Sequence, residues 1–308
     1  MNYTLHQLHV FVKVAENESI TKAADELCLT QPAVSIQLKN FQDQFEIPLT
    51  EVVGRKLYVT EFGKEVAQAA KSILEKVNEI NHRTLAYKGQ LFGKLKIAVV
   101  STGKYVMPYF LSDFLNQHPG VELELDVTNK MKVLEVLERN HVDFALVSLI
   151  PDQFSLQSIP LMSNRLVLVS NGKQAWSKTN SFEQVITKLP FIFREKGSGT
   201  RQVVEQYLQQ NGFTIPAKLE LTSNEAVKQA VIAGLGCSIM PLIGIRNELK
   251  SGDLQIVPVN GMPIETTWNL IWLSGKKLSP LAKAYIKFLE EEKDALIQST
   301  FAWMSSFD

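Results

Sequence analysis

Cysteine is nearly missing from this chain. Cys28 and Cys237 are the only two in 308 residues and lie far apart in sequence. A disulfide framework or a thiolate metal site is therefore not expected, and both residues are read as buried structural thiols. The five histidines (His6, His9, His82, His118, His141) show no metal-ligand spacing, so no metal is expected. No run reaches 18 apolar residues, which argues against a membrane-spanning helix. The opening MNYTLHQLHVFV lacks the cationic start, long apolar core and cleavage site of a signal peptide, so a soluble cytoplasmic protein is expected. An excess of charge is also missing: 32 Lys and Arg balance 32 Asp and Glu. Nor does the chain show paired carboxylates or a nucleophile elbow, and no enzyme is expected. What is present is 45% hydrophobic residues over 308 positions, enough for two or three domains with a substantial core.

The most informative stretch is Ser19 to Phe45. Ile20, Ala23, Ala24 and Leu27 follow the i, i+3, i+4, i+7 spacing of one helical face, and the paired alanines allow close backbone approach. Leu29 sits in the connection, and Thr30 suits the N-cap of a second helix. Pro32 is tolerated in the first turn, where amides lack intrahelical partners. Val34, Leu38, Phe41 and Phe45 form its buried stripe. The opposite side shows Pro32, Ile36, Lys39, Asn40 and Asp43, with Gln31, Ser35 and Gln42 on a flank. Such a helix suits the DNA major groove, although helix-turn-helix pairs also occur in proteins that never touch DNA. Neighbouring segments favour DNA. An earlier helix, His6 to Ala15, presents Leu8, Phe11, Val12 and Ala15. Val52 to Thr60 looks like a β-wing with Gly54, Arg55 and Lys56 at its tip, and such wings touch phosphates. Charge argues the other way. Residues 1–60 carry Lys13, Lys22, Lys39, Arg55 and Lys56 against Glu16, Glu18, Asp25, Glu26, Asp43, Glu46 and Glu51, where a basic footprint is normal.

Thr60 can cap a long helix from about Glu61 to Lys88. Phe62, Val66, Ala69, Ile73, Val77 and Ile80 make a heptad-like stripe on it. At 1.5 Å per residue the helix spans roughly 42 Å. A partner helix from a second copy is the expected occupant of the stripe, and packing on the chain's own body is the alternative. Gly89 and Gly93 mark a hinge.

From Lys94 strands alternate with helices, as in a largely parallel α/β sheet. Strands are expected at 95–100, 121–127, 143–147, 191–193, 219–221, 254–259 and 268–273. Helices are expected at 104–117, 131–140, 200–210, 225–233 and 279–291. Ile159 to Val169 crosses to a second α/β unit, and the last strand and helix return to the first. Two crossings between two lobes create a cleft, where α/β proteins bind ligands. Its most pointed motif is Glu195-Lys-Gly-Ser-Gly-Thr-Arg201. Gly197 and Gly199 expose amides, Ser198 and Thr200 offer hydroxyls, and Arg201 offers a bidentate cation at a helix start that favours anions. The same motif could be a capped turn with Arg201 in an internal ion pair. Ser101-Thr102-Gly103, Thr128 and Ser148 end strands of the first lobe and complete the candidate set.

These pieces together resemble the LysR-type transcriptional regulators over about residues 3–290. The resemblance rests on LHVFVKVAENESITKAADELCLTQPAVSIQLKNFQ, on IPL and GRKLYVTEFG, on the linking helix, and on DFALV and AGLGCSIMP. It implies three parts: residues 1–60 as a winged helix-turn-helix, 61–92 as a dimerising linker helix and hinge, and 93–308 as a two-lobed sensor of the periplasmic-binding-protein type. Lobe I would hold about 93–162 and 266–292, and lobe II about 163–265. The resemblance also implies a homotetramer built as a dimer of dimers, promoter DNA as partner, contact with RNA polymerase, and a small-molecule effector rather than a cofactor. By position, Gln31, Pro32, Ala33, Ser35 and Ile36 would face the groove, Thr21 and Lys22 the phosphates, and Arg55 and Lys56 the wing contact. Two departures stand out. Ile36 replaces an arginine common in the family and suits a thymine methyl instead. Thr50-Glu51-Val52 replaces the usual Phe-Glu-Arg, which weakens the wing's cationic side. The Gly-Ser-Gly-Thr-Arg run is similar to regulators of carbon-fixation and sulfur-assimilation operons, which hints at an anionic effector. A cytoplasmic solute-binding protein without sequence-specific DNA function is the competing expectation.

Overall fold

The computed structural model describes residues 3–54, 56–86, 91–176 and 181–307; the side chains at 78, 79 and 81–86 also lie outside the description. The chain divides into two units, residues 1–90 and 91–308.

The first unit opens with α1 (Leu5–Asn17), α2 (Ile20–Leu27) and α3 (Gln31–Gln42). Thr4 and Gln7 form a capping box at the start of α1, and Ser19 caps α2 by accepting from the Lys22 amide. Thr30 occupies the N-cap of α3, but its hydroxyl makes no capping hydrogen bond; Pro32 in the first turn already removes one orphan donor. Cys28 closes α2 in the left-handed region, φ 54°. That turn points outward, so Cys28 is exposed, contrary to the expected burial, whereas Cys237 is buried. Val34, Leu38 and Phe41 of α3 pack with Ala23, Ala24 and α1 residues Leu8, Val10, Phe11 and Val14. The wing is a hairpin of β1 (Thr50–Val53) and β2 (Lys56–Val59), with Gly54 turning at φ +58°. Arg55 lies outside the described residues.

Helix α4 (Glu61–Ala86) follows, with Thr60 accepting from the Gly63 amide. The heptad stripe divides in two. Phe62 and Val66, with Ala67, Ala70 and Leu74, pack into the core of the same unit. Val77 is half-buried, and Ala69, Ile73 and Ile80 are exposed. The first two expected dimerisation residues are therefore spent internally, because α4 packs against α1.

The second unit is built on a seven-stranded sheet. Its parallel part is β3 (Gly93–Val100), β4 (Val121–Thr128) and β5 (Phe144–Val147), with α5 (Met107–Gln117) and α6 (Lys130–Glu138) as crossovers. A 3-10 turn, Gly103–Tyr105, precedes α5, because Pro108 can sit only in a first helical turn. The two crossings are long strands rather than loops: β6 (Leu156–Asn171) runs antiparallel to a later strand at 264–273, with a register shift at Trp268/Asn269. The sheet thus continues through both lobes. Beyond β6 come α7 (Phe182–Lys188), β7 (Ile192–Arg194), α8 (Gly199–Gln210), β8 (Leu219–Leu221), α9 (Asn224–Ile232), β9 (Ser238–Pro241), α10 (Arg246–Ser251), β10 (Leu254–Ile256) and the returning β11 (Ile264–Leu273). Alternation along β6 serves two cores: Val167 and Val169 join the larger cluster, Leu166 and Leu168 the smaller one around Phe182, Phe191 and Phe193.

The chain ends in α11 (Pro280–Phe301) and a 3-10 segment, Ala302–Phe307. The helix runs ten residues past its expected end at 291 because Phe301 and Met304 are buried in the larger core. The Arg165 guanidinium on β6 donates to the Met304 carbonyl at 3.1 Å. The aromatic tail is thereby part of the sensor. No helix among the described residues is long and apolar enough to cross a membrane.

Candidate functional site: a helix-turn-helix face and an anion cleft

In the first unit, Thr21, Lys22, Gln31, Pro32, Ile36 and Lys39 are exposed, and Ala33 and Ser35 are half-buried. Ile36 is 58% exposed, an apolar side chain on a face with no internal partner to cover it. The acidic excess is partly absorbed elsewhere. Lys13 pairs with Glu16 and Glu26, both at 3.0 Å, and Lys71 also reaches Glu16. Burial of Lys13 opposes its charge, but the hydrogen bonds it donates to the two carboxylates outweigh it and raise its pKa. Lys22, Lys39 and Lys56 form no ion pair among the described residues. The cations available for phosphates are thus on α2, α3 and the wing, while Lys13 is spent on acids.

The sensor cleft forms where the ends of β3, β4 and β5 face the first turns of α8 and α9. Its inner part is lined by Ser101, Thr102, Ser148, Ser198, Gly199 and Thr200, all expected. Gly197 and Arg201 line an outer cavity of about 800 Å³ instead. Thr128 lines neither; its carbonyl accepts from the Ser101 hydroxyl at 3.2 Å. Ser198 caps α8 by accepting from the Arg201 amide. A methyl added at Gly199 would lie 3.7 Å from the Lys130 side chain and 3.8 Å from Ser148 Oγ, so the α8 terminus stands directly against the first lobe. The first-turn amides of α8 carry the positive end of the helix dipole.

Arg201 is turned away from ligand duty. Its guanidinium pairs with Glu205 and Glu220 and donates to the Arg194 carbonyl at 2.8 Å. Burial opposes its charge, and those two carboxylates raise its pKa regardless. Arg194 is likewise spent on Glu195, at 2.8 Å. Arg201→Ala should lower the sensor unit's stability by about 1–3 kcal/mol, the range for leaving buried polar groups unpaired. It should change effector affinity much less. A thermal melt and a titration on the same variant check both.

Two residues that sequence reasoning passed over complete the cleft. Lys130, the first residue of α6, is only 9% exposed, and Nζ donates to Gln202 Oε1 of α8 at 2.8 Å. No carboxylate lies at ion-pair distance from it among the described residues; burial lowers its pKa, and Asp152 offsets this only in part. A lysine at N1 stands at the wrong end of the helix dipole, which is the one signal the sequence offered for it. Asn224, the first residue of α9, is 6% exposed, and its Nδ2 is buried without a hydrogen-bond partner. An under-neutralised ammonium, an orphan amide donor and a helix N-terminus converge on one small space. Such a set favours a small anion and holds no nucleophile–base pair. Among the described residues no His, Cys, Asp and Glu cluster has the makings of a metal site.

Residues 5–64 match the family model for bacterial regulatory helix-turn-helix proteins of the lysR family, and residues 88–294 that for the LysR substrate binding domain. The HTH-type transcriptional activator CmpR of Synechocystis sp. is 36% identical over 297 residues, covering 96% of this chain and 97% of CmpR. A RuBisCO operon transcriptional regulator of Allochromatium vinosum is 37% identical over 298 residues, covering 95% and 97%. Among solved structures, the Synechocystis PCC6803 CcmR regulatory domain in complex with 2-PG is 33% identical, with TM-score 0.60, and covers 64% of this chain and 95% of that one. Full-length CbnR complexed with its target DNA shares the fold, with TM-score 0.63 at 20% identity, covering 93% and 99%. The chain therefore belongs to the LysR family of DNA-binding transcriptional regulators, with a helix-turn-helix unit followed by the family's effector-binding domain.

Proposed function

We propose that this regulator is switched by a small anion, a phosphorylated or carboxylate metabolite, held between the α8 N-terminus, Asn224 and Lys130. The observation that carries this reading is the buried Lys130 ammonium, whose one hydrogen-bond partner among the described residues is a neutral amide. An anion there supplies the charge that burial otherwise leaves uncompensated. The 2-PG complex of the CcmR regulatory domain, a 33% identical relative, supports the chemical class. The inner space measures about 10 Å³, room for a single water-sized particle. An effector therefore enters from the outer cavity and moves the two lobes apart as it seats. Titration calorimetry of the full-length protein with 2-PG tests the reading; saturable binding is expected, and its absence across 2-PG, phosphate and small dicarboxylates overturns it.

The DNA-reading surface is Thr21, Lys22, Gln31 to Ala33, Ser35, Ile36 and Lys39, with Arg55 and Lys56 on the wing. Phosphate contacts from the lysines set position, and Ser35 and Ile36 read bases. Ser35→Ala should narrow the affinity gap between operator and unrelated DNA by about tenfold, within the 1–3 kcal/mol of a base contact. It should leave non-specific affinity nearly unchanged, as competition binding at fixed salt will show. The protein acts in the cytoplasm as a homodimer through Ala69, Ile73 and Val77 of α4, and as a homotetramer on promoters, where it contacts RNA polymerase. Two-fold pairing matches paired half-sites and multiplies the few free cations.

A further inference from the structure

The sensor unit has a second chamber, of about 430 Å³, that shares no lining residue with the Lys130 cleft. Its walls come from four segments: the 3-10 turn Gly103–Tyr105 with the start of α5, Lys228 of α9, residues 243–248 at the start of α10, and the end of α11 with the tail. Lys104 Nζ lies over the Tyr105 ring at 5.0 Å, and the Arg246 guanidinium over the Trp303 ring at 4.6 Å. The one carboxylate in the lining, Glu248, is spent on Lys228 at 2.7 Å. Lys104 forms no ion pair among the described residues. Arg246 Nε is buried and has no hydrogen-bond partner there. Two cations backed by rings thus face a chamber whose acid is already neutralised. Tyr105, Tyr109, Phe301 and Trp303 give the lining an aromatic part, with Tyr109 half-exposed at 50% and edge-on to Phe301 at 5.4 Å.

We infer that this chamber is a second ligand site, for a small organic anion on a flat apolar body. The anionic group pairs with Lys104 and Arg246, and the body lies against Tyr109. The volume is within the range of small-molecule sites, and a ring-backed guanidinium is well suited to carboxylate or phosphate. Occupancy bears on the cleft by a short route. Thr102 of the cleft is three residues from Tyr105, whose ring sits so close to Gly244 that a methyl there would meet it at 3.0 Å. A ligand on Tyr105, Lys104 and Arg246 fixes the turn that carries Thr102. The inference is independent of the identity of the cleft effector.

The test uses full-length protein, with 1-naphthoate as the anionic probe and 1-naphthol as its uncharged counterpart, followed by calorimetry and tryptophan fluorescence. Naphthoate is expected to bind saturably and at least tenfold tighter than naphthol. The Lys104→Gln/Arg246→Gln double variant should weaken it at least tenfold, and Lys130→Gln should not. Lys104→Gln alone, at an exposed side chain that cannot unfold the unit, should weaken it severalfold. Equal affinity for naphthol, loss of binding with Lys130→Gln alone, or no saturable naphthoate binding overturns the inference. So does a changed oligomeric state of the double variant at unchanged naphthoate affinity, which would make this face an interface between copies.

Discussion

Replacing Lys130 by glutamine should weaken anion binding to the cleft by about 10–150-fold, the equivalent of about 1.5–3 kcal/mol for one hydrogen bond to a charged group. The amide keeps a hydrogen-bond donor, one bond shorter than the ammonium, but it brings no charge. The unliganded protein should be as stable as wild type or more stable, since the variant removes a buried ammonium whose nearest hydrogen-bond partner is neutral. Affinity and stability thus move in opposite directions, which general damage to the fold would not produce. Lys130→Arg should restore part of the affinity. The pH dependence has the same logic. Burial places the folded pKa of Lys130 below its unfolded value. The charged form therefore costs stability below the folded pKa, and the cost is relieved as pH rises through it. Anion affinity should fall over that same rise, at lower pH than for an ordinary lysine. Titration calorimetry across the alkaline range checks the sign, and unchanged affinity in Lys130→Gln would remove the residue from the site.

The second large effect belongs to Phe41. It is fully buried and meets Tyr3, Phe11 and Phe45 at ring-centroid distances of 5.4, 5.1 and 5.1 Å. It fixes α3 on α1, and so fixes the angle at which Ser35 and Ile36 are offered to DNA. Phe41→Ala should cost about 3–5 kcal/mol, a large share of the stability of a small unit. Specific DNA binding should disappear. The sensor's melting transition and anion affinity should stay near wild type, because the sensor has its own core. Differential scanning calorimetry separates the two; a shift of the sensor transition as large as that of the first unit would contradict the independence of the cores.

Much of this architecture was legible from period and punctuation. The helix-turn-helix announces itself through Ala23, Ala24, Val34, Leu38 and Phe41, which all take the burial that their spacing implies. The strand–helix alternation after Lys94 likewise gives the sheet's parallel half. Length was less legible. Helix α11 outruns its charged stretch because Phe301 and Met304 find a core made by distant residues, a tertiary gain that no local pattern carries. Strand β10 stops at Ile256, two residues short of Pro258, which has no amide to donate to the sheet. The heptad stripe on α4 was only half right as an exposed seam, since period alone cannot say which neighbour covers an apolar face. The cleft shows the sharpest limit. Glycine, serine and threonine at strand ends stand out in sequence and line the inner wall. Arg201 stands out equally and is consumed by Glu205 and Glu220. Lys130 and Asn224 look ordinary in sequence, because their significance lies in burial without a matching partner.

The most direct measurement of the central claim is the affinity of the full-length protein for DNA upstream of its own gene, at fixed salt, with and without 2-PG. The wild type should bind that DNA in a salt-dependent manner, with an affinity that the anion shifts severalfold or more. Lys130→Gln should bind with the same basal affinity and show no shift. An equal anion-induced shift in Lys130→Gln, or no preference of the wild type for that DNA over unrelated sequence, would contradict the account.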